Sequence, residues 1–214
     1  MSSYIHPFAL AVAILAATIG VGRADDTSVV SPKGLWLAGQ LDALGVEGKW
    51  IAGTHIDWET GLPDGSPERM PGHHTHCSAF VASAAKTLGV YILRPPEHGQ
   101  VLLANAQNEW LTGEGADKGW RRIASALEAQ ALANSGVLVV ASYHSHRDNT
   151  PGHIAIVRPS VVTAETIAAV GPTLIQAGSV NSSAIPAKQG FAGHIHAWRG
   201  NEIEYYAHDI AGGP

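Results

Sequence analysis

The chain has 214 residues, 45% of them hydrophobic, which suits one domain with a sizeable core. Its formal charge is -5 and only 14% of its residues are charged, so it carries neither the basic stripe of a nucleic-acid binder nor an acidic tail. Histidine is abundant, at 12 residues against a single cysteine, so metal binding has to be weighed.

Residues 1–24 read as an export signal. FALAVAILAATIGVG is a continuous apolar run of h-region length, and Gly22-Arg23-Ala24 puts small residues where a cleavage site needs them. The n-region MSSYIHP lacks Lys and Arg. The expectation is a mature chain beginning at Asp25-Asp26, periplasmic or extracellular, with no stable membrane association after signal cleavage. The rival is an uncleaved anchor, for which the run is short. An exported chain with one cysteine has no internal disulfide, and a lone thiol in an oxidising compartment calls for a reason.

From there the elements follow in order. Pro32 and the stripe Leu35, Leu37, Leu41 and Leu44 predict a helix over 32–44. Residues 51–75, rich in Gly, Pro, Asp and Thr, read as loop. A helix then starts at Thr75 or His76 and ends at Gly89. Cys77, Phe80, Val81, Ala84, Ala85 and Leu88 lie on one face, and its many small residues predict tight packing all round. Within 90–119 a short helix is expected near LLANAQNEWL. WRRIASALEAQALAN (120–134) reads as one amphipathic helix.

The period then changes. VLVVASY (137–143), HIAIVRP (153–159) and TLIQAG (173–178) read as strands. HIHAWRGNEIEYYAHD (194–209), with Gly200-Asn201 at its centre, reads as a hairpin. Helices first and an antiparallel sheet of about five strands after them make an α+β domain, 25–214.

A cysteine in the first turn of a helix has its thiolate favoured by unpaired N–H groups and the macrodipole, which makes Cys77 a candidate nucleophile. Its base must come from elsewhere in the fold. His153, at the head of a strand, is the best placed, ahead of His194 and His196 and of the loop residues His144 and His146. Gln176, polar in an otherwise apolar strand, needs a partner, and an imidazole N–H is a natural one; Asn181 is its substitute.

Cys-Ser-Ala-Phe-Val at a helix head, a GVLVVASY strand, Gly-His-Ile-Ala-Ile-Val and Leu-Ile-Gln-Ala-Gly-Ser resemble, in that order, the NlpC-type cysteine peptidases and their CHAP relatives. These are papain-like, mostly exported amidohydrolases acting on peptidoglycan stem peptides. The resemblance spans about residues 73–182 and implies a papain-like NlpC fold. It implies Cys77 as nucleophile, His153 as base and Gln176 as orienting residue, with a peptidoglycan peptide as substrate and no cofactor. His76, Ser78 and Trp58 are candidates for substrate contact, and His55 and Trp58 for the oxyanion-site tyrosine of the family. The sequence departs from the family at His76, where Asp is common, at Ala79, where Gly is common, at Gln176, where His is frequent, and in 90–119, which reads as an insertion.

Two other readings stand beside this one. His73, His74, His76 and Cys77 are ligand types that zinc accepts, although no CxxC or HExxH spacing occurs. A catalytically silent cell-wall-binding module is the other.

Overall fold

The computed structural model describes Met1, residues 27–67 and residues 74–214. The expected export signal and His73 lie outside the described residues. No helix among the described residues is long and apolar enough to cross a membrane.

The first helix, α1 (Pro32–Ala43), starts where Ser31 caps the N–H of Gly34 at 3.0 Å and Pro32 occupies a position that needs no donor. The second, α2 (Cys77–Thr87), is the central element. Every residue from Cys77 to Ala85 is buried. A helix can be enclosed on all sides only where small residues admit its neighbours, and Ala79, Ala82, Ser83, Ala84 and Ala85 do so. A third helix, α3 (Leu103–Thr112), packs beside it. This segment falls inside the expected insertion.

Arg121–Ile123 forms strand β1, and α4 (Ala126–Asn134) follows. The sequence predicts one helix over 120–134, and the structure divides it. The reason is Ser125: its hydroxyl caps the N–H of Glu128, and the Glu128 carboxylate turns back to the N–H of Ala124, which sets the helix start at 126. The three residues before it are freed to pair with the last strand.

Next come β2 (Leu138–Tyr143), β3 (His153–Val157), α5 (Ala164–Val170), β4 (Thr173–Ala177), β5 (Asn181–Pro186), α6 (Ala187–Gly190), α7 (Ile195–Arg199) and β6 (Glu204–His208). They form a six-stranded antiparallel sheet in the order β1-β6-β2-β3-β4-β5. The class is α+β, with one strand more than about five. Two strands are unexpected: β1, which lies inside the expected helix 120–134, and β5, whose polar, half-exposed NSSAIP carries no apolar run for periodicity to detect; the first arm of the expected hairpin is lost in exchange.

The expected hairpin over 194–209 is not formed. Both edges of β6 are taken, by β1 and β2, so 194–199 has no strand to join and coils as α7. Gly200-Asn201 ends that helix instead of turning a hairpin. The N–H of Gly200 reaches the His196 carbonyl, that of Asn201 the Trp198 carbonyl, and Asn201 sits left-handed at φ 55°.

Strand alternation divides the core in two. Leu138, Val140, Ile154, Ile156, Ile175, Ala177 and Tyr206 face α2. Val139, Ala141, Ala155, Val157, Leu174, Tyr205 and Ala207 face the other way, under α4 and α6. Because α2 has no free volume around it, Ala82→Leu is expected to cost about 1–3 kcal/mol by overpacking. Leu35→Ala, at a side chain pointing to solvent on α1, should stay within about 0.5 kcal/mol. Urea unfolding of the two variants measures both.

Candidate functional site

Cys77 opens α2 at its first helical position, with His76 as the residue before the helix. The His76 ring is buried, and its Nε2 lies 2.9 Å from the Thr54 carbonyl. A carbonyl only accepts, so Nε2 carries the proton there. This bond ties loop 51–56 to the helix head.

The Cys77 thiol is buried and receives four donors: the N–H groups of Ile154, Ser78 and Cys77 itself, and the Thr75 hydroxyl. Burial nevertheless dominates and pushes its pKa above the ordinary value, the donors opposing it. The resting group is a thiol. The expectation of a thiolate favoured by the helix head is overridden by desolvation.

His153 is the first residue of β3 and only 3% exposed. Its Nε2 lies 2.9 Å from Gln176 Oε1 on β4, and Gln176 Nε2 donates to the Val180 carbonyl at 3.0 Å. The second bond fixes the amide's orientation, because only its nitrogen can donate to a carbonyl. The oxygen therefore faces the imidazole and Nε2 carries the ring proton. Nδ1 is left as the basic nitrogen. Burial lowers the His153 pKa below its ordinary value, with the Gln176 bond opposing it.

The space around this pair is closely filled. Phe191 meets the His153 ring edge-on at 4.7 Å, and His194 stacks on it at 5.6 Å with 12° between the planes. A Cβ at Gly190 would lie 2.8 Å from Gln176 Oε1, and one at Gly178 3.0 Å from Gln176 Nε2, so both close approaches require glycine. Sequence reasoning places His194 on a strand; it heads α7 instead and covers the imidazole. The signal available for this region is Gly190-Phe191 itself, a glycine and an aromatic between polar segments.

Cys77 and His153 share no hydrogen bond. His153 and Gln176 follow the parity of Ala155, Val157 and Leu174, away from α2, whereas Cys77 lies on the α2 side. The two meet at a gap. Pairing of β3 with β4 stops at Ile156↔Ile175, and the N–H of Ile154, the residue after His153, is given to the sulfur instead. Because His153 is the first residue of β3, the sulfur bonded to the Ile154 N–H lies beside the backbone that carries it.

The other expected residues separate clearly. Ser78 flanks Cys77, its N–H on the sulfur and its carbonyl accepting from Gln107 at 3.2 Å. Trp58 is not brought to the thiol. Its ring takes Lys86 at 5.5 Å and Arg94 at 6.0 Å, and Lys86 is about 13 Å further along α2 than Cys77 at 1.5 Å per residue. His55 is paired with Asp64 at 2.9 Å. Asn181 is held elsewhere, its amide nitrogen donating to the carbonyls of Val46, Lys49 and Trp50, and the His153 Nε2 meets Gln176 instead. Among the described residues, no group of three or more His, Cys, Asp or Glu side chains is placed to hold a metal ion. A groove of about 810 Å³, lined by residues such as Arg122, Ser125, Trp198 and Tyr205, lies on the face of the sheet away from α2, and none of Cys77, His153 and Gln176 lines it.

No protein-family profile matches the chain. A curated relative, the peptidoglycan amidase Tse1 of Pseudomonas aeruginosa, is 30% identical over 100 residues. That alignment covers 47% of this chain and 52% of the relative, so the chain spans about half the length of the curated relative it matches.

Burial makes the two stacked histidines a pH liability for the fold. The His194 pKa is lowered to about 4, first by burial and then by the charge of His153, and that of His153 is lowered by burial. Below the ordinary value of 6.5 the unfolded chain binds protons that the folded chain refuses. Their stabilising contribution is complete above pH 6.5 and is lost as pH falls towards 4. Thermal unfolding from pH 7 to 4 should show the midpoint dropping, and His194→Gln should flatten that dependence. An unchanged slope in the variant would show that His194 does not contribute.

Proposed function

We propose that this protein is an exported cysteine amidohydrolase that cleaves amide bonds of peptidoglycan stem peptides, with Cys77 as nucleophile, His153 as base and Gln176 as orienting residue. The observation that carries the reading is the buried His153–Gln176 hydrogen bond, which leaves Nδ1 basic at the strand end that abuts the Cys77 sulfur. The similarity to a peptidoglycan amidase over about half of each chain supports the substrate class.

The reaction follows from the two neutral groups. Desolvation disfavours thiolate and imidazolium alike, so the proton leaves Sγ for Nδ1 as the sulfur attacks the carbonyl carbon, and not before. Catalytic contacts that are loose without substrate tighten on binding, which is the closure that the gap between β3 and β4 requires. The oxyanion forms beside the Cys77 N–H, which has no partner within the helix. When the C–N bond breaks, His153 gives its proton to the departing amine and leaves a thioester on Cys77. Water then attacks the thioester, returns a proton through His153, and releases the carboxylic acid and the thiol. Throughout, Gln176 accepts from Nε2–H and stabilises the imidazolium when it forms. On this reading His76 and Ser78, which flank the attacking atom, are the side chains that meet substrate. Activity on cell wall fits an export signal at residues 1–24.

The reading is tested by mass spectrometry of sacculi digested with wild type and Cys77→Ala. Wild type should release peptide fragments, and the variant should lose release while keeping its unfolding midpoint. Gln176→Ala should lower kcat about 10²-fold or more. Alkylation should abolish activity and chelators should not; inactivation by chelators with stoichiometric bound zinc would overturn the reading in favour of a metal site. Since the base must be neutral, activity should persist below pH 6.5, and since Cys77 sits above its ordinary 9.0, the plateau should extend into alkaline pH. An acid limb centred at or above 6.5 would contradict this assignment of the base.

A further inference from the structure

Asn105, in the first turn of α3, spends both polar atoms of its side chain on the loop between β2 and β3. Its Oδ1 accepts from the N–H of Ser145 at 3.2 Å and from the N–H of Gly152 at 2.7 Å, and its Nδ2 donates to the Thr150 carbonyl at 3.0 Å. One half-buried amide thus binds the start of the loop, its far arm and the residue immediately before His153. Two acceptor contacts and one donor contact match what an amide offers.

The fit at Gly152 is closed. A Cβ there would lie 2.0 Å from the Tyr143 carbonyl oxygen and 2.5 Å from Asn105 Oδ1. Tyr143 and His153 face each other in the β2–β3 register, so this contact lies where the two strands leave the sheet. The loop's other side-chain ties are at its exposed rim. His144 meets Glu109 at 2.9 Å and His146 meets Glu202, and exposed pairs of this kind hold a backbone weakly. The buried support on the far side of His153 comes from Gln176 and Phe191, which act on the ring and not on the backbone that delivers it.

We propose that Asn105 is a positioning residue for the base: by fixing Gly152 it sets the backbone from which His153 projects, and so the direction of Nδ1. The inference rests on the reading of His153 as base. It also gives the segment 90–119 a role. The segment is part of the frame of the site, since its helix supplies the clamp, and not a lid over it.

The test compares Asn105→Ala and Asn105→Asp with wild type in three measurements: stem-peptide kinetics, thermal midpoint, and the titration of the His153 ring Cε1–H followed by NMR. The titratable neighbours of that ring are His194, stacked on it, and Cys77 at the β3–β4 gap, with Tyr143 and then His146 beyond His194. Asp keeps the acceptor for Ser145 and Gly152, but it turns a carboxylate oxygen towards the Thr150 carbonyl in place of the donor and adds a negative charge. Asn105→Ala should lower kcat about 10²-fold, as a misplacement of around 1 Å does, while KM changes little. Its His153 pKa should rise towards 6.5 as water reaches the ring. Asn105→Asp should retain most of kcat, with a His153 titration raised only by the added charge, an upward shift that salt screens, unlike that of the Ala variant. The proposal is overturned if Asn105→Ala folds with unaltered kcat and titration, or if Asn105→Asp loses kcat as fully as the Ala variant is expected to. Should Ala prevent folding, the Asp variant decides alone. If wild type cuts no stem peptide, the amidase reading fails, and the His153 titration still decides whether Asn105 holds that ring.

Discussion

The hydrogen bond between His153 and Gln176 is the constraint around which the domain is arranged. Both side chains are almost wholly buried, and a buried polar group left without a partner costs about 1–3 kcal/mol. The amide resolves this by facing both ways, its oxygen to the imidazole and its nitrogen to the Val180 carbonyl. Everything nearby conforms to that geometry. Gly178 and Gly190 leave out the methyl groups that would displace the amide, and Phe191 closes the ring's edge. The turn after β4 is shaped so that Val180 presents its carbonyl. A buried Gln at this position therefore has a structural cost and a structural answer. It remains neutral at every pH, so it orients the imidazole without competing for its proton.

The sheet supplies the second condition. Had β3 and β4 paired along their whole length, the N–H of Ile154 would have been committed to the ladder and no space would exist for a sulfur. Pairing stops at Ile156↔Ile175, and the head of α2 enters where it stops. An α-helix packed as tightly as α2 cannot slide to find that opening. Its small residues fix its height on the sheet, and with it the position of Cys77. Packing density along the whole helix thus determines the placement of one atom at its end.

These features were legible in the sequence to different degrees, for physical reasons. The apolar strands β2, β3 and β4 and the helices α1 and α2 announce themselves because burial on a fixed period is what periodicity reports. Gln176 was legible as a polar residue inside such a run. The division of 120–134 was encoded in Ser125 and Glu128, a local capping signal that the helical period of the surrounding residues concealed. The fate of 194–209 was not local at all. Gly200-Asn201 serves a hairpin or a helix end equally well, and the choice was made by β1 and β2 occupying both edges of β6. His194 was misplaced for the same reason, and its stacking on His153 is a tertiary fact. Trp58 shows the converse: an aromatic residue in the loop that precedes Cys77 lies under Lys86 and Arg94, towards the far end of α2.

Burial also bears on why a lone cysteine can be tolerated. The thiolate is the species that oxidants attack, and a helix head with several donors would ordinarily promote it. Here the sulfur has those donors, yet enclosure outweighs them and the thiol stays protonated. On the proposed reading the nucleophile is generated only when a carbonyl is present to accept it, by a base that is itself kept neutral by the same enclosure. The donors around the sulfur are then not wasted in the resting state. They are fixed in place before charge develops, and so lower the energy of the charged transition state without stabilising a resting thiolate. Desolvation and preorganised donors act in opposite directions on the resting group and in the same direction on the selectivity of the reaction.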